Sequence, residues 1–275
     1  MTAPHLFIFG LSYSSLAIAR LAIAKGFKVS GTTRDNGKAE SLRALGIAAQ
    51  TDMHLPGGVT HILSSIPPQE HGDIVLPLIP SHQSPVTYCA YLSTTGVYGD
   101  YGGEWVDETS ELRPNSDRLR RRVAAEKAWL ARGGHVLRLA GIYGPGRSVL
   151  EDIKAGTARR IDKPGQVFSR IHVDDIAHVV LASMRAPHPG SVYNVCDDEP
   201  APAHEVVVHG CTLLGKEPPP LIPFEQAELS AMGREFYAAN RRVRNEKIKE
   251  ELGISLYYPT YREGLAQCLQ SMETE

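Results

Sequence analysis

The chain is 275 residues long, enough to bury a large core in one big domain or two small ones. Hydrophobic residues make up 42% and charged residues 22%, as in ordinary globular proteins, and the net charge of -2 gives no electrostatic basis for nucleic acid or an anionic membrane as a partner. Basic runs at Arg118–Arg122 and Arg241–Lys249 read as exposed helix faces.

Cys89, Cys196, Cys211 and Cys268 are scattered, without a CxxC pair or a zinc-spaced His/Cys cluster. His204 and His209 would lie about 140° apart on a helix. The sequence therefore predicts no metal, reduced thiols and a cytoplasmic protein. The apolar run Leu6–Phe9 lacks the length and basic flank of a signal peptide. With no stretch of ~18 apolar residues, no membrane span is expected.

In chain order, Leu6–Phe9 is a continuous apolar run before Gly10, the pattern of a strand buried on both faces. A helix is predicted over Leu16–Ala24, with Gly26 at its carboxyl end, and a second strand over Phe27–Thr33. Next come helix Ala39–Leu45, short strand Ile47–Ala49 and strand His61–Ile66, closed by Pro67-Pro68. Helix Ile74–Ile79 and strand Tyr88–Leu92 follow. Helix Leu119–Ala131 is predicted to turn Leu119, Val123, Ala124, Trp129 and Leu130 to the core, ahead of strand Val136–Leu139. This alternation predicts an α/β fold, a doubly wound parallel sheet with ligands at the carboxyl ends of its strands. Proline-rich stretches at Ala186–Gly190 and Pro218–Pro223 mark a second half of shorter elements, read as a smaller cap.

A dinucleotide needs a tight turn after the first strand, close approach of backbone to pyrophosphate, and a helix amino end aimed at the anion. Gly10-Leu11-Ser12-Tyr13-Ser14-Ser15 offers Gly10 in the first glycine place, with Ser12 and Ser15, small enough for close approach, in the second and third. The same residues also suit a plain strand-to-helix turn with a serine cap. Arg34 follows the second strand where NAD sites place a carboxylate for the ribose 2′-OH. A guanidinium there suits the 2′-phosphate of NADP, with Thr32, Thr33 and Lys38 beside it. NADP is the expected cofactor and NAD the alternative.

Further motifs follow in order. Leu92-Ser93-Thr94-Thr95-Gly96-Val97-Tyr98-Gly99 is a Ser/Thr run before Val-Tyr-Gly, and Arg138–Arg147 carries Arg-x-x-x-x-Tyr-Gly-Pro-Gly. Ile171–Ala177 carries His-Val-Asp-Asp, and Tyr193-Asn194-Val195 comes after it. Arg242-Val243-Arg244-Asn245, Leu252-Gly253 and Tyr258-Pro259 complete the series. Together they resemble the extended and atypical short-chain dehydrogenase/reductases, the group of the NAD(P)-dependent epimerase/dehydratases, over nearly the whole chain. The resemblance implies a Rossmann-type core of residues 1–147, to which 171–197 return, and a C-terminal substrate-binding cap of 148–170 and 198–275. It places the adenine and pyrophosphate over Gly10, Ser12, Tyr13, Ser14 and Ser15, with Ser64, Ser65 and Ile66 beside the cofactor. Tyr143–Pro145 would lie near the nicotinamide and Arg147 near the substrate, while His172 and Asp174-Asp175 are structural. A small-molecule substrate is implied, and helices such as Leu119–Ala131, through which many relatives dimerise, make a homodimer possible while the oligomeric state stands open.

The family's chemistry rests on a Tyr and a Lys four apart on one helix, the ammonium lowering the phenol pKa from ~10. Aligning Val123-Ala124-Ala125-Glu126 puts Arg122 at the lysine place and Arg118 at the tyrosine place. A guanidinium stays protonated and accepts no hydrogen bond, so Arg118 is neither acid nor base. It is assigned, with Arg147, to the substrate, and Arg122 to a ribose hydroxyl or a negative charge. Thr94 aligns with the family's catalytic Ser/Thr and can bond a carbonyl oxygen. Tyr98 and Tyr143 bring phenols that could replace the missing donor. Two functions stand open. One is an NADP(H)-binding oxidoreductase- or epimerase-like protein acting on a small carbonyl or sugar-nucleotide. The other is a catalytically silent NAD(P)-binding regulator or scaffold.

Overall fold

A computed structural model describes residues 3–79 and 86–274, with Met232 described by its backbone alone. Seven strands build one sheet: β1 (His5–Phe9), β2 (Lys28–Thr32), β3 (Ala48–Gln50), β4 (His61–Ser64), β5 (Tyr88–Thr94), β6 (His135–Leu139) and β7 (Val192–Val195). Their order is β7-β6-β5-β4-β1-β2-β3, and every pairing is parallel. All five residues of β1 are buried, as its unbroken apolar run requires. Alternate side chains leave a strand on opposite faces, so Leu6 and Ile8 enter one core and Phe7 and Phe9 the other.

Nine helices are found among the described residues: α1 (Tyr13–Ala24), α2 (Asn36–Ala44), α3 (Asp117–Leu130), α4 (Val149–Lys154), α5 (Val173–Arg185), α6 (Ala203–Leu213), α7 (Ala231–Tyr237), α8 (Glu246–Leu252) and α9 (Tyr261–Thr274). On one face of the sheet α1 and α5 pack together, burying Ile18, Ala22, Ile176 and Val180. On the other, Ala125 and Trp129 of α3 meet Phe7, Phe9, Ile62, Tyr91 and Val136. The doubly wound α/β fold expected from the alternation is the fold of the chain. The later half adds short parallel pairs, Gly141–Tyr143 with Arg170–His172 and Arg160–Asp162 with Leu221–Pro223. It also carries an apolar cluster around Leu150, Val206, Tyr261 and Leu265. No helix among the described residues is long and apolar enough to cross a membrane.

Several elements differ from expectation for local reasons. Helices α2 and α3 start three and two residues earlier, because Asp35 accepts from the Lys38 N–H at 2.7 Å and Ser116 from the Leu119 N–H at 3.4 Å. The helix expected over Ile74–Ile79 shrinks to one 3-10 turn at Leu76–Leu78. Pro77 supplies no N–H there, and Asp73 takes the N–H groups of Val75 and Leu76 at 2.8 and 2.9 Å. Ala124 is exposed, and the face of α3 buries Leu119, Ala125, Glu126 and Trp129 instead. The run Arg241–Lys249 is not one exposed helix face. Arg242–Val243 pairs as a strand with Trp105–Val106, and α8 begins only at Glu246.

Candidate active site

The chain leaves β1 at Gly10 with φ +87°, a region that L side chains enter at a cost. A Cβ there would meet Ile66 Cγ1 at 2.8 Å and Ser65 Oγ at 2.9 Å, so the loop after β4 lies directly against the turn. The turn is pinned from within: Gly10 N–H donates to Thr32 Oγ1 at 2.9 Å and Leu11 N–H to Thr32 O at 2.7 Å. The Ser65 hydroxyl donates to Gly10 O. Ser15 is also a pin, its Oγ accepting from Ser12 N–H at 2.6 Å and donating to Gly10 O at 2.8 Å. Ser12 is exposed and Ser14 buried. The first bond inside α1 runs from Leu16 N–H to Ser12 O at 2.9 Å. Tyr13, Ser14 and Ser15 therefore present their N–H groups in the first turn, where the helix's partial positive charge collects.

Around this turn the expected residues take different places. The Tyr13 hydroxyl donates to Pro145 O at 3.0 Å, and the Arg147 guanidinium lies 5.5 Å from the Tyr13 ring centroid. Arg34 is exposed just beyond β2, whereas Thr33 is buried and gives its N–H to Gln50 O at 2.9 Å. Lys38 reaches back and donates to Leu11 O at 2.8 Å. Ser64, fully buried, holds a hydroxyl with no hydrogen-bond partner. Tyr143 turns away into the later half: its ring meets His172 edge-on at 5.3 Å, and its hydroxyl donates to Thr260 O at 3.4 Å.

At the carboxyl ends of β5 and β6 a cavity of about 340 Å³ opens, with Thr94 and Arg118 in one wall and Phe168, Glu235 and Arg241 in the other. Thr94 sits there because its Oγ1 accepts from Gly96 N–H at 3.1 Å and caps the 3-10 turn Thr95–Tyr98. Arg118 Nη2 and Ser116 Oγ both donate to Glu235 Oε1 at 3.0 Å. Those bonds hold the Glu235 carboxyl below its ordinary range. Arg241 donates through Nη1 to Gly99 O at 2.9 Å, while its Nε has no partner. Burial lowers its pKa to about 10 against the pull of Asp100 and Tyr98.

Four expected groups stay outside this cavity, among them Arg147, which lies against Tyr13 instead. Besides Tyr143, Arg122 lies along β5, where Nη1 donates to Tyr91 OH at 2.7 Å and Leu92 O at 3.0 Å. Tyr98 is fully buried; its hydroxyl donates to Asn194 Oδ1 at 2.7 Å and accepts from Arg138 Nη1 at 2.9 Å. Burial pushes that phenol up to about 12, with Arg138 opposing. Tyr98 is therefore a corrected expectation: its proton sits in a core network that also joins Ser93, Glu126 and Arg138. Sequence reasoning missed Glu235 and Arg241. No local pattern marks Glu235, and Arg241 was hidden in a basic run assigned to solvent.

No family model matches the chain. The structure of a functionally unknown conserved protein from Silicibacter pomeroyi is 46% identical, with TM-score 0.91 over 99% of this chain and 100% of that one. The dTDP-glucose 4,6-dehydratase of Bacillus anthracis, in complex with NAD, has TM-score 0.76 at 18% identity over 99% and 97% of the two chains. A human epimerase family protein with NADPH has TM-score 0.76 at 16% identity over 96% and 99%. Protein YeeZ of Escherichia coli is 26% identical over 92% of this chain and 95% of its own length. The 3-diazoavenalumate denitrifying reductase of a Streptomyces species is 31% identical over 49% of this chain, and the match spans only 46% of that reductase.

Proposed function

This chain belongs to one family with the functionally unknown Silicibacter pomeroyi protein and has the fold of the extended, epimerase/dehydratase-like short-chain dehydrogenase/reductases, and on that premise we propose that it binds NADP(H) and reduces or oxidises a small carbonyl substrate in the Thr94 cleft. The observation that carries this is the Gly10 turn, where the space of a single Cβ is taken by Ser65 and Ile66 and α1 starts at once, with Ser12 exposed at its amino end. Tyr13, Ser14 and Ser15 N–H groups would hold the pyrophosphate, Arg34 the 2′-phosphate, and Ser64 and Ser65 the edge of the cofactor. The bound dinucleotide would supply or accept a hydride. Thr94 would hold the substrate oxygen, and Arg118 would orient the substrate without moving a proton. NAD and NADPH in the two structural neighbours, and the word reductase in the Streptomyces protein's name, support the reading.

A second reading is a catalytically silent NAD(P)-binding regulator. It is favoured by Arg118 being already paired with Glu235, and by Tyr98 and Tyr143 being turned into the core.

Calorimetric titration with NADPH and NADH tests the binding. NADPH should bind more tightly, and Arg34→Ala should weaken NADPH by about tenfold or more while sparing NADH. Equal losses for both would remove the 2′-phosphate assignment, and no heat from either would end the reading. NADPH oxidation over a carbonyl panel then separates the two functions. Turnover abolished by Thr94→Val supports the enzyme, and tight binding without oxidation supports the regulator.

A further inference from the structure

Arg241 touches no counter-ion among the described residues, and Asp100 acts on it only through space. None of the ion pairs among the described residues includes it. The neighbouring Asp100 carboxylate takes the N–H groups of Asn240 at 2.8 Å and Gly102 at 3.2 Å on Oδ1, and favours the charged guanidinium without contacting it. One guanidinium nitrogen is tied to Gly99 O, and the Nε is withdrawn from water with no acceptor. A partly desolvated guanidinium lacking an anion is a costly arrangement that an anionic ligand relieves. The surrounding walls are largely apolar, with Leu119, Val167, Phe168, Phe236 and Val243 lining the same cavity. Arg118 across the cavity is already neutralised by Glu235 at 3.0 Å, so Arg241 is the charged side chain of the wall with no ion pair among the described residues. The volume, about 340 Å³, is at the low end for small-molecule sites.

We propose that Arg241 anchors a small monocarboxylate with an apolar body, its charged end on the guanidinium and its reactive centre toward Thr94. The proposal rests on reading this cleft as the substrate site, but anion capture by Arg241 does not require the dinucleotide. Benzoate and its neutral isostere benzamide are suitable probes, titrated by calorimetry into dinucleotide-free protein. Benzoate should bind about tenfold tighter or better, as charge-assisted pairing predicts. Arg241→Gln should bring the ratio to near one with NADPH affinity unchanged. Lys127→Gln, at an exposed position on α3 outside the cavity, should leave the ratio within about threefold. Equal binding of the two probes, no binding of either, or a preference that survives Arg241→Gln overturns the proposal. If Arg241→Gln does not fold, labelling of the parent protein with phenylglyoxal decides: benzoate but not benzamide should protect Arg241 from modification, and equal modification of Arg241 with either probe overturns the proposal. Titrating NADPH on the same samples keeps the readings apart. Benzoate selectivity without NADPH binding rejects the cofactor assignment alone, and NADPH binding without selectivity rejects the anion site alone.

Discussion

At Gly10 two constraints meet in one residue: a backbone at φ +87° and a neighbouring loop that leaves no room for a Cβ. The positive φ alone costs an L residue about 1–2 kcal/mol. The contacts at 2.8 and 2.9 Å add to that, because Ile66 and Ser65 must shift, and Ser65 is bonded to Gly10 O. Gly10→Ala should therefore lower the melting temperature and weaken NADPH by more than the stability loss alone would, since the loop beside the cofactor is pushed outward. Arg20→Ala, at an exposed position on α1 away from the turn, is the control and should leave stability nearly unchanged. If Gly10→Ala bound NADPH as well as the parent, the turn would not be the pyrophosphate seat. Arg118 and Arg122 show how far position outweighs residue type. One turn apart on α3, the first reaches the cleft and pairs with Glu235, while the second lies against Tyr91 and the Leu92 carbonyl.

The packing of α3 on β5 and β6 is organised by a buried charge pair, Glu126 with Arg138 at 2.8 Å, both almost sealed from solvent. Ser93 also donates to Glu126, and Arg138 donates on to Tyr98. Removing one member strands the other. Glu126→Leu should cost about 3–5 kcal/mol, and Glu126→Leu with Arg138→Leu should cost clearly less than the sum of the singles. Urea titrations of the four proteins check this; strict additivity would mean the pair is not coupled. The same helix shows what the sequence could and could not disclose. Its existence, Leu119 and Trp129 followed from apolar spacing. Glu126 did not, because a carboxylate in a helical pattern reads as solvent-facing until its partner, twelve residues on, is folded against it. The Gly10 turn was legible because its parts are consecutive. The cleft was not, since Thr94, Arg118, Glu235 and Arg241 meet only through the tertiary fold. Pro77 and Asp73 overrode a helical apolar run for reasons that are local but compete with periodicity.

Across the whole molecule the sheet separates two kinds of chemistry by strand end. β1 lies between β2 and β4, where the strand order reverses, so its carboxyl end opens into the crevice and carries the Gly10 turn. The amino ends carry instead a row of rings: Phe27 on His61 at 5.2 Å, His61 on Tyr88 at 5.9 Å, and Tyr88 on His135 at 4.6 Å. His5 stands in the same sheet, its Nε2 2.6 Å from Ser30 Oγ. Burial lowers the pKa of His5, His61 and His135 below the ordinary 6.5. Below pH 6.5 the unfolded chain therefore binds protons that the folded chain refuses. Stability is fully present above that pH and falls as pH drops toward the folded values, by up to about 1.4 kcal/mol per pH unit for each such proton. The Asp175 carboxyl, pushed up to about 6 by burial, works in the opposite direction below pH 6. It cancels in a difference between variant and parent. His135→Gln keeps a donor for the Cys89 carbonyl but cannot be protonated, so its urea midpoint should fall less steeply than the parent's between pH 6.5 and 5. Parallel slopes would show that His135 is not a source of acid sensitivity. Because the ring row and the Gly10 turn occupy opposite ends of the strands, the gap between the two slopes should be the same with and without saturating NADPH.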